Sequence, residues 1–281
     1  MSEGLRKDYR IGEEIGRGRF GVVYRCYSLD SGEVFAVKSV DKSLLADAVD
    51  RECAEREAKI TQLAAVGNPH AVQIYAMYED EEAIHMVIDL CDGGDLFDRI
   101  ATGGGAEMGE AEAAALVKSL MEAVAVCHRR GVAHRDLKPD NVLFDSEGRL
   151  RLADFGSAEC FGDGRPMTGV VGTPYYVAPE VVAGGEYGEK VDVWSAGVML
   201  YIMLGGIPPF YGETAAEVFE AVLRGNLRFP TRVFSGVSSS AKDLIRRMLC
   251  KDVFRRFSAE QVLTHSWITS SGGTRFVADP T

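Results

Sequence analysis

The chain has 281 residues, of which 46% are hydrophobic and 26% are charged, a balance typical of a globular protein and not of a disordered one. Its length favours one large domain or two lobes. The formal net charge of −11 disfavours nucleic acid and anionic membranes as partners and favours cationic ligands or basic peptides, although the same charge also serves simple solubility.

Short β-rich runs fill the sequence up to about residue 90. Five of them, separated by Gly, Asp and Asn, read as strands, and one helix from about Asp50 to Leu63 interrupts them. A glycine-rich joint, CDGGDLF, follows, and helical periodicity dominates the remainder. We therefore predict an α+β protein with a small N-terminal five-stranded antiparallel sheet, one main helix beside it, and a larger, mostly α-helical part.

The cysteines and the two ends of the chain indicate the cellular compartment of the protein. The six cysteines form no C-x-x-C pair and no Cys/His cluster, which is typical of reduced intracellular thiols. The first ten residues contain no apolar signal core and no myristoylation glycine, and the last four contain no prenylation box. The most apolar stretch, VWSAGVMLYIML, is too short to span a bilayer and reads as a buried helix. We expect a cytosolic or nuclear protein, with the cytoplasm as the first choice.

The first chemical motif is the glycine run IGRGRFGVV, with Gly16, Gly18 and Gly21. A G-x-G-x-x-G pattern alone is weak, because turns and dinucleotide folds share it. In a dinucleotide fold a helix follows the glycines, whereas here the strand-like run VVYRCYS follows. The pattern thus favours a hairpin whose bare N–H groups face phosphate, with Val23 against a flat heterocycle.

Lys38 follows in the apolar run FAVKSV. It could be an edge-strand lysine whose ammonium reaches water. It could instead neutralise the α- and β-phosphates of a nucleotide if an acid held it in place. That acid should come from the helix, where Glu57 is the leading choice over Glu52 and Glu55, although periodicity alone does not rank the three.

The densest charge lies in VAHRDLKPDNVLF, which contains Asp136, Lys138 and Asn141, and Asp154 follows in LADFGSA. Charge in an apolar frame is costly unless it is paired or bound to a cation. Two carboxylates and a carboxamide are ligands that suit Mg²⁺. A structural cluster of salt bridges is the alternative, and the glycine run and Lys38 in the same order along the chain weigh against it.

With these motifs together, the chain resembles a eukaryotic-type protein kinase. The glycine loop, AVK, HRDLKPDN, DFG, GTPYYVAPE and DVWSAG stand in the family's order and cover about residues 9–267. The resemblance implies the bilobal kinase fold, with an N-lobe at about 9–88, a hinge at 89–95, a C-lobe at about 96–267, and short tails at 1–8 and 268–281.

The resemblance also implies roles for single residues. Lys38, paired with Glu57, would hold the ATP phosphates, Asp154 and Asn141 would bind Mg²⁺, and Asp136 would orient the acceptor hydroxyl and take its proton. Lys138 and Thr173 would complete the catalytic set. The ATP site would comprise Ile15, Gly16, Gly18, Gly21, Val23, Ala36, Lys38, Ile88, Asp89, Cys91, Leu143 and Asp154, where Asp89 to Cys91 form the hinge; ordinary core packing of the apolar members is compatible with this role.

Finer properties follow from the same resemblance. Lys138 in LKPDN and Thr173 in GTPYY favour serine/threonine over tyrosine specificity. Asp95 and Asp140 match acids that bind an arginine three residues before the acceptor in basophilic kinases, with a solvated surface pair as the alternative. Ile202 stands where some such kinases have a further acid, so we expect one strong basic preference.

The activation segment, residues 154–180, carries Gly169 where many kinases have a phosphorylatable Ser or Thr, and Thr168 lies one step away. We therefore expect activity without phosphorylation. Two structural contacts are also expected, Glu180 with Arg256 and Asp192 with the loop around His134 and Arg135.

Within the family, the catalytic motifs resemble plant calcium-dependent protein kinases without the regulatory tail, and several stretches resemble phosphoenolpyruvate carboxylase kinase. No calcium-loop motif occurs in the sequence. Our main interpretation is a calcium-independent, monomeric Ser/Thr kinase acting on the N-terminal serine of phosphoenolpyruvate carboxylase. The alternatives are the catalytic part of a calcium-dependent kinase with another basic substrate and, disfavoured by the intact catalytic residues, a noncatalytic nucleotide-binding scaffold.

Overall fold

The computed structural model describes residues 2–18, 21–45, 48–102, 108–162 and 166–271, without the side chains of residues 48–55, 102 and 271. The chain divides into two compact units. The first comprises Met1–Gly94 and Leu143–Gly156, and the second comprises Asp95–Val142 and Ser157–Thr281.

The first unit is built on a five-stranded antiparallel sheet in the order β1-β2-β3-β5-β4. Its strands are β1 (Tyr9–Arg17), β2 (Gly21–Ser28), β3 (Val34–Asp41), β4 (Ile74–Glu79) and β5 (Ala83–Ile88). All five predicted strands are present, so the predicted sheet is confirmed. The predicted helix is also confirmed and is longer than expected, since α2 runs over Ala48–Ala65.

Both faces of this sheet are covered by apolar side chains. On one face Val40, Leu45 and Met86 pack with Ala58 of α2. On the other face a short helix, α1 (Glu3–Asp8), places Leu5 against Cys26, Val37 and Val87, all without exposed area. The segment expected as a short tail, residues 1–8, thus contains a helix that packs on the sheet. A single leucine in a six-residue helix gives no periodicity to detect.

A second difference concerns residues 143–156, which were predicted to belong with the C-terminal part. They contain most of the small hairpin β7 (Val142–Phe144) and β8 (Leu150–Leu152). Leu152 exchanges backbone hydrogen bonds with residues 70 and 72, and Phe144 does so with residues 93 and 94. These bonds join the hairpin to the first unit.

The second unit is mainly helical. Its elements are α3 (Leu96–Thr102), α4 (Glu110–Arg129), the pair β6 (Val132–Ala133) and β9 (Glu159–Cys160), α5 (Pro179–Val182), α6 (Lys190–Gly205), α7 (Ala215–Arg224), α8 (Thr231–Phe234), α9 (Ser239–Met248), α10 (Ala259–Leu263) and α11 (Ser266–Ser271). The predicted buried helix is α6, in which nearly every side chain is buried. No helix in the described ranges is long and apolar enough to cross a membrane.

Charged groups connect the helices of the second unit. The Glu110 carboxylate, at the start of α4, accepts hydrogen bonds from the backbone N–H and hydroxyl of Ser238 and from the Trp267 indole. The expected pair of Arg256 with Glu180 is confirmed as a two-pronged contact, at 2.5 and 2.9 Å. These bonds fix the ends of α4, α9 and α11 and the position of α5.

Candidate active site

Lys38 lies in the middle of the first unit's sheet. Its strand, β3, places it opposite Val23 on β2 and Met86 on β5. Its Nζ is 2.5 Å from Glu57 Oε1 and 3.6 Å from Asp154 Oδ1. The lysine thus joins the sheet, α2 and the segment after β8.

Of the three acids that the sequence left open, Glu57 is within hydrogen-bond distance of Lys38. Its carboxylate is mostly buried, which strengthens the attraction because less water surrounds the charges. The side chains of Glu52 and Glu55 lie outside the described residues.

The Lys38 ammonium keeps its charge in this environment. Burial by itself lowers the pKa of Lys38, but the negative charges of Glu57 and Asp154 outweigh it and raise the pKa above its ordinary value. Lys38 is therefore a fixed cation at neutral pH, as a group that holds phosphate must be.

Asp154 is not part of a strand. Strand β8 ends at Leu152, and Asp154 has a φ of 60°. This left-handed conformation is unfavourable for a residue with a Cβ and turns the chain out of the extended path. The carboxylate is half exposed while it faces Lys38.

The glycines of the β1–β2 hairpin have different structural reasons. A Cβ on Gly21 would lie 2.0 Å from the carbonyl oxygen of Ser39, so only glycine permits the contact between β2 and β3. A Cβ on Gly18 would meet no atom within 4 Å. Packing therefore explains Gly21, whereas it does not explain Gly18. The tip residues 19 and 20 lie outside the described part.

The expected adenine-binding residues all belong to the first unit. Ala36 lies opposite Ile88 across the β3–β5 pair. Asp89 donates its N–H to the Gln73 carbonyl at 3.2 Å, and its carboxylate accepts from the Tyr75 hydroxyl at 2.7 Å. A hinge hydrogen bond to a ligand from Asp89 would therefore come from its carbonyl oxygen.

The other expected residues are on nearby elements of the same unit. Val23 lies opposite Gly16 on β1, Ile15 is an exposed side chain of that strand, and Leu143 is on β7. Burial raises the pKa of the Cys91 thiol to about 12, so this thiol is protonated at neutral pH.

The second unit contains a cluster centred on Asp136. Thr173 Oγ1 donates to Asp136 Oδ1 at 2.8 Å, and Lys138 Nζ donates to Oδ2 at 2.9 Å. Gly172 has a φ of 114°, and a Cβ there would lie 2.9 Å from the Arg135 carbonyl oxygen. Glycine at this position allows Thr173 to reach the carboxylate.

Asn141 completes this cluster through the backbone. Its side-chain amide is buried and donates to the Asp136 carbonyl oxygen at 2.9 Å. Because the nitrogen is engaged, the orientation of the amide is fixed, and Oδ1 is the atom that can serve a cation.

The loop that carries Asp136 is held by a buried carboxylate. Asp192 accepts hydrogen bonds from the N–H groups of His134 and Arg135, at 2.9 and 2.8 Å, as expected from the sequence. His128 Nε2 lies 2.8 Å from the same carboxylate. Arg135 has a φ of 67°, a strained conformation that these bonds stabilise.

Comparison with known protein families shows the family to which the chain belongs. The sequence matches the protein kinase domain family over residues 9–268. The chain belongs to the protein kinase family. Members of this family use ATP and Mg²⁺ and act on proteins. The predicted fold class and the assignment to the protein kinases are thereby confirmed.

Curated relatives of this kinase domain include three Arabidopsis thaliana proteins. It is 46% identical to calcium-dependent protein kinase 32 over 95% of the chain and 49% of the relative, and 44% identical to calcium-dependent protein kinase 21 over 95% and 50%. It is also 44% identical to calcium-dependent protein kinase 14, over 94% and 50%. The chain spans about half the length of these relatives. Their names favour the calcium-dependent kinase alternative over the carboxylase kinase interpretation.

The Mg²⁺ that the family uses prefers oxygen ligands. The expected ligands are Asp154 in the first unit and Asn141 in the second, and each has a side-chain oxygen of that kind. No group of three or more His, Cys, Asp or Glu side chains in the described ranges could hold a metal by itself. Mg²⁺ commonly takes one or two protein ligands and completes its shell with phosphate oxygens and water.

Asp95 and Asp140, the expected peptide-binding acids, belong to neighbouring elements of the second unit. Asp95 accepts a hydrogen bond from the Asp98 N–H at 2.8 Å and so begins α3, which contacts the turn Pro139–Asn141. Burial and the charge of Asp140 raise the pKa of Tyr176 to about 12, so the phenol stays neutral beside this acid.

Three residues near the Asp136 cluster were not singled out from the sequence for the contacts they make: His128, Glu159 and Tyr187. Each is one titratable residue in a helix, a two-residue strand or a loop, with no spacing to mark it. Glu159 forms an ion pair with Arg135, and the Tyr187 hydroxyl lies 3.2 Å from an Arg135 nitrogen.

Proposed function

We propose that this kinase domain transfers the γ-phosphoryl group of ATP to a serine or threonine hydroxyl of a protein. The observation that carries the proposal is the Asp136 cluster, in which one carboxylate has a lysine ammonium on one oxygen and a threonine hydroxyl on the other. A carboxylate in that setting is placed to accept the proton of an alcohol, and the ammonium is placed to offset charge on the phosphoryl group.

In the proposed reaction the oxygen of the acceptor forms a bond to the γ-phosphorus while the bond from that phosphorus to the bridging oxygen breaks. ADP leaves, and Asp136 takes the hydroxyl proton. Catalysis of this kind depends mainly on positioning and on cations around spread negative charge. Lys38 supplies such a cation in the first unit, and Asp154 and Asn141 would each supply an oxygen ligand for Mg²⁺. The glycine hairpin and the residues of the adenine site would hold the nucleotide.

We propose a substrate with a basic residue upstream of the acceptor. Support comes from the exposed carboxylate of Asp140, from Asp95 directly before the adjoining helix α3, and from the net charge of −11. Thr173 in its contact with Asp136 and Lys138 supports serine/threonine over tyrosine acceptors.

The identity of the substrate has two candidates. The first is a basic peptide of the kind phosphorylated by a calcium-dependent kinase, which the three named relatives favour. The second is the N-terminal serine of phosphoenolpyruvate carboxylase, which rests on the sequence resemblance alone. A competition assay separates them: equal kcat/KM for the carboxylase N-terminal peptide and a generic basic peptide would reject the second, whereas a strong preference for the carboxylase peptide would reject the first.

We also propose that the 281-residue chain is active without calcium, without phosphorylation and as a cytoplasmic monomer. Gly169 at the usual phosphorylation position supports the second property. Chain made in bacteria and treated with phosphatase should keep its full rate with a calcium chelator present. A rate that depends on phospho-Thr168 or on calcium would reject the proposed independence of the two. Light scattering tests whether the chain is a monomer, and cell fractionation tests whether it is cytoplasmic.

A further inference from the structure

Tyr187 occupies an unusual place beside the activation segment. Its ring is buried, and it lies in the loop between α5 and α6. Its backbone exchanges two hydrogen bonds with Met167, at 3.1 and 3.0 Å, which form an isolated antiparallel bridge. Residue 187 is thus paired with the activation segment two residues before Gly169.

The phenol of Tyr187 makes further contacts with the same segment. Its oxygen lies 3.1 Å from the carbonyl oxygen of Thr168 and 3.0 Å from that of Gly169, so its proton is shared between two acceptors. Arg135 Nη1 donates to the same oxygen at 3.2 Å. The hydroxyl therefore links the guanidinium of the Asp136 loop to two consecutive carbonyls of the segment.

Arg135 is otherwise engaged within the second unit. Its side chain is 7% exposed, it forms an ion pair with Glu159, and its Nε donates to the Ser157 carbonyl oxygen at 2.7 Å. Its charge therefore already has a carboxylate partner. In a network of this kind each hydrogen bond polarises the next, so the link through the hydroxyl is stronger than an isolated one.

The conformation of Gly169 explains why the hydrogen-bond donor comes from outside the activation segment. Its φ is +87°, a conformation that L side chains rarely adopt, so a side chain there would strain the backbone. Where other kinases use a charged group at this position, this chain presents only the carbonyl oxygen of Gly169, and Tyr187 supplies the donor.

We propose that Tyr187 is a positioning residue whose hydroxyl, oriented by Arg135, holds the activation segment at Thr168 and Gly169 in place of a phosphate. The proposal rests on the function proposed above, namely peptide phosphorylation without prior phosphorylation of the chain. It gives that property a physical cause. It also predicts that phosphate added at Thr168 does not raise the rate.

The test compares Tyr187→Phe with Tyr201→Phe in the full chain. Both rings are buried in the second unit, and the Tyr201 hydroxyl donates to a carbonyl oxygen, that of Arg228, at 2.7 Å. Removing the Tyr187 hydroxyl should lower kcat for a basic peptide by about five- to tenfold with KM for ATP unchanged. Tyr201→Phe should keep the wild-type kcat although it removes a bond of the same kind.

Hydrogen exchange provides a second readout that does not depend on activity. In the wild-type chain the amides of Met167 and Tyr187 are paired, and in Tyr187→Phe they should exchange several times faster, while Tyr201→Phe leaves them unchanged. Wild-type kcat and unchanged exchange in Tyr187→Phe would overturn the proposal, as would equal losses of kcat in the two variants.

Failure of the proposed function gives a different result. If phosphatase-treated wild-type chain phosphorylates no basic peptide, the function proposed above fails, whatever the variants do. Faster exchange at Met167 in Tyr187→Phe alone would then still support the hold on the segment, and equal exchange in both variants would reject it.

Discussion

Arg256 and Glu180 form an ion pair inside the second unit in which the guanidinium has no exposed area. Besides the two contacts to the carboxylate, Arg256 donates from Nε to the Cys250 carbonyl oxygen at 2.9 Å and lies over the Trp194 ring at 5.0 Å. A buried ion pair of this kind is costly to break, because the remaining charge stays without water.

Glu180→Gln should therefore lower the free energy of unfolding by about 3–5 kcal/mol. The matched control is Glu220→Gln, which removes a carboxylate from the exposed Arg224 pair and should cost about 0.5 kcal/mol or less. Urea unfolding of both variants checks the prediction. Similar losses in the two variants would mean that the buried pair contributes no more than a surface pair.

Asp192→Asn should weaken both the fold and the catalytic loop, because a neutral amide holds the His134 and Arg135 N–H groups less strongly. We expect a loss of about 3 kcal/mol at neutral pH and a lower kcat. Unfolding curves and peptide kinetics measure the two effects. Asp243→Asn, which changes a half-exposed carboxylate of the same unit, is the control.

The stabilisation that Asp192 provides should depend on pH. Burial raises the pKa of Asp192, but hydrogen bonds and the charge of His128 outweigh it and lower the pKa below the ordinary value of 3.8. A carboxyl with a lowered pKa in the folded state stabilises the fold above its unfolded pKa and loses this contribution as the pH falls below it. The difference in unfolding free energy between wild type and Asp192→Asn should therefore be constant at neutral pH and shrink below about pH 4. A difference that grows on acidification would contradict the assigned direction.

Asp136→Asn should lower kcat by orders of magnitude while ATP binding is largely kept, because the amide cannot take the acceptor's proton. Asp140→Asn provides the comparison four residues along the same loop. If Asp140 binds a basic residue of the substrate, its variant should raise KM for a basic peptide and keep kcat. Steady-state kinetics and ATP titration distinguish the effect of Asp136→Asn on kcat from the effect of Asp140→Asn on KM. Unchanged turnover in Asp136→Asn would contradict the role of Asp136 as the base.

Lys38→Met should abolish phosphoryl transfer, since it removes the cation next to Glu57 and Asp154. Lys42→Met is the control, because this lysine follows β3 directly and pairs with the exposed Glu79 at 2.6 Å. Its variant should keep the wild-type rate. Loss of transfer in both variants would show that a cation near β3, and not the position of Lys38, is what the reaction needs.

The sequence predicted the parts of this molecule that depend on local pattern. Strands β1 to β5 were predicted from alternation and turn residues, and α6 from its continuous apolar run. The positions of Lys38, Asp136, Asn141 and Asp154 were marked by motifs with fixed spacing. The acid that pairs with Lys38 could not be predicted from the sequence alone. The turn of α2 that faces β3 is set by packing, and the sequence of the helix does not specify it.

What the sequence did not predict depends on contacts between distant segments. The membership of residues 143–156 in the first unit rests on backbone bonds of Leu152 and Phe144. The role of Tyr187 depends on a bridge to Met167, twenty residues away, and on the backbone conformation of Gly169. Neither the backbone bonds of residues 143–156 nor the contacts of Tyr187 correspond to a recognisable pattern in the sequence.

Leu5 is a last case of a contact that only the fold reveals, and it allows a test of helix α1. Leu5→Ala should lower the unfolding free energy by about 2–5 kcal/mol, because Leu5 is fully buried against Cys26, Val37 and Val87. Leu29→Ala, at a side chain that is 58% exposed, should change it by less than about 0.5 kcal/mol.

Burial raises the pKa of the Cys26 thiol to about 11, which keeps it unreactive at neutral pH. Exposing this thiol lowers its pKa, so in Leu5→Ala a thiol reagent should label Cys26 faster than in wild type or Leu29→Ala, as peptide mass spectrometry can measure. Equal labelling and equal stability in all three proteins would show that α1 contributes nothing to the sheet it covers.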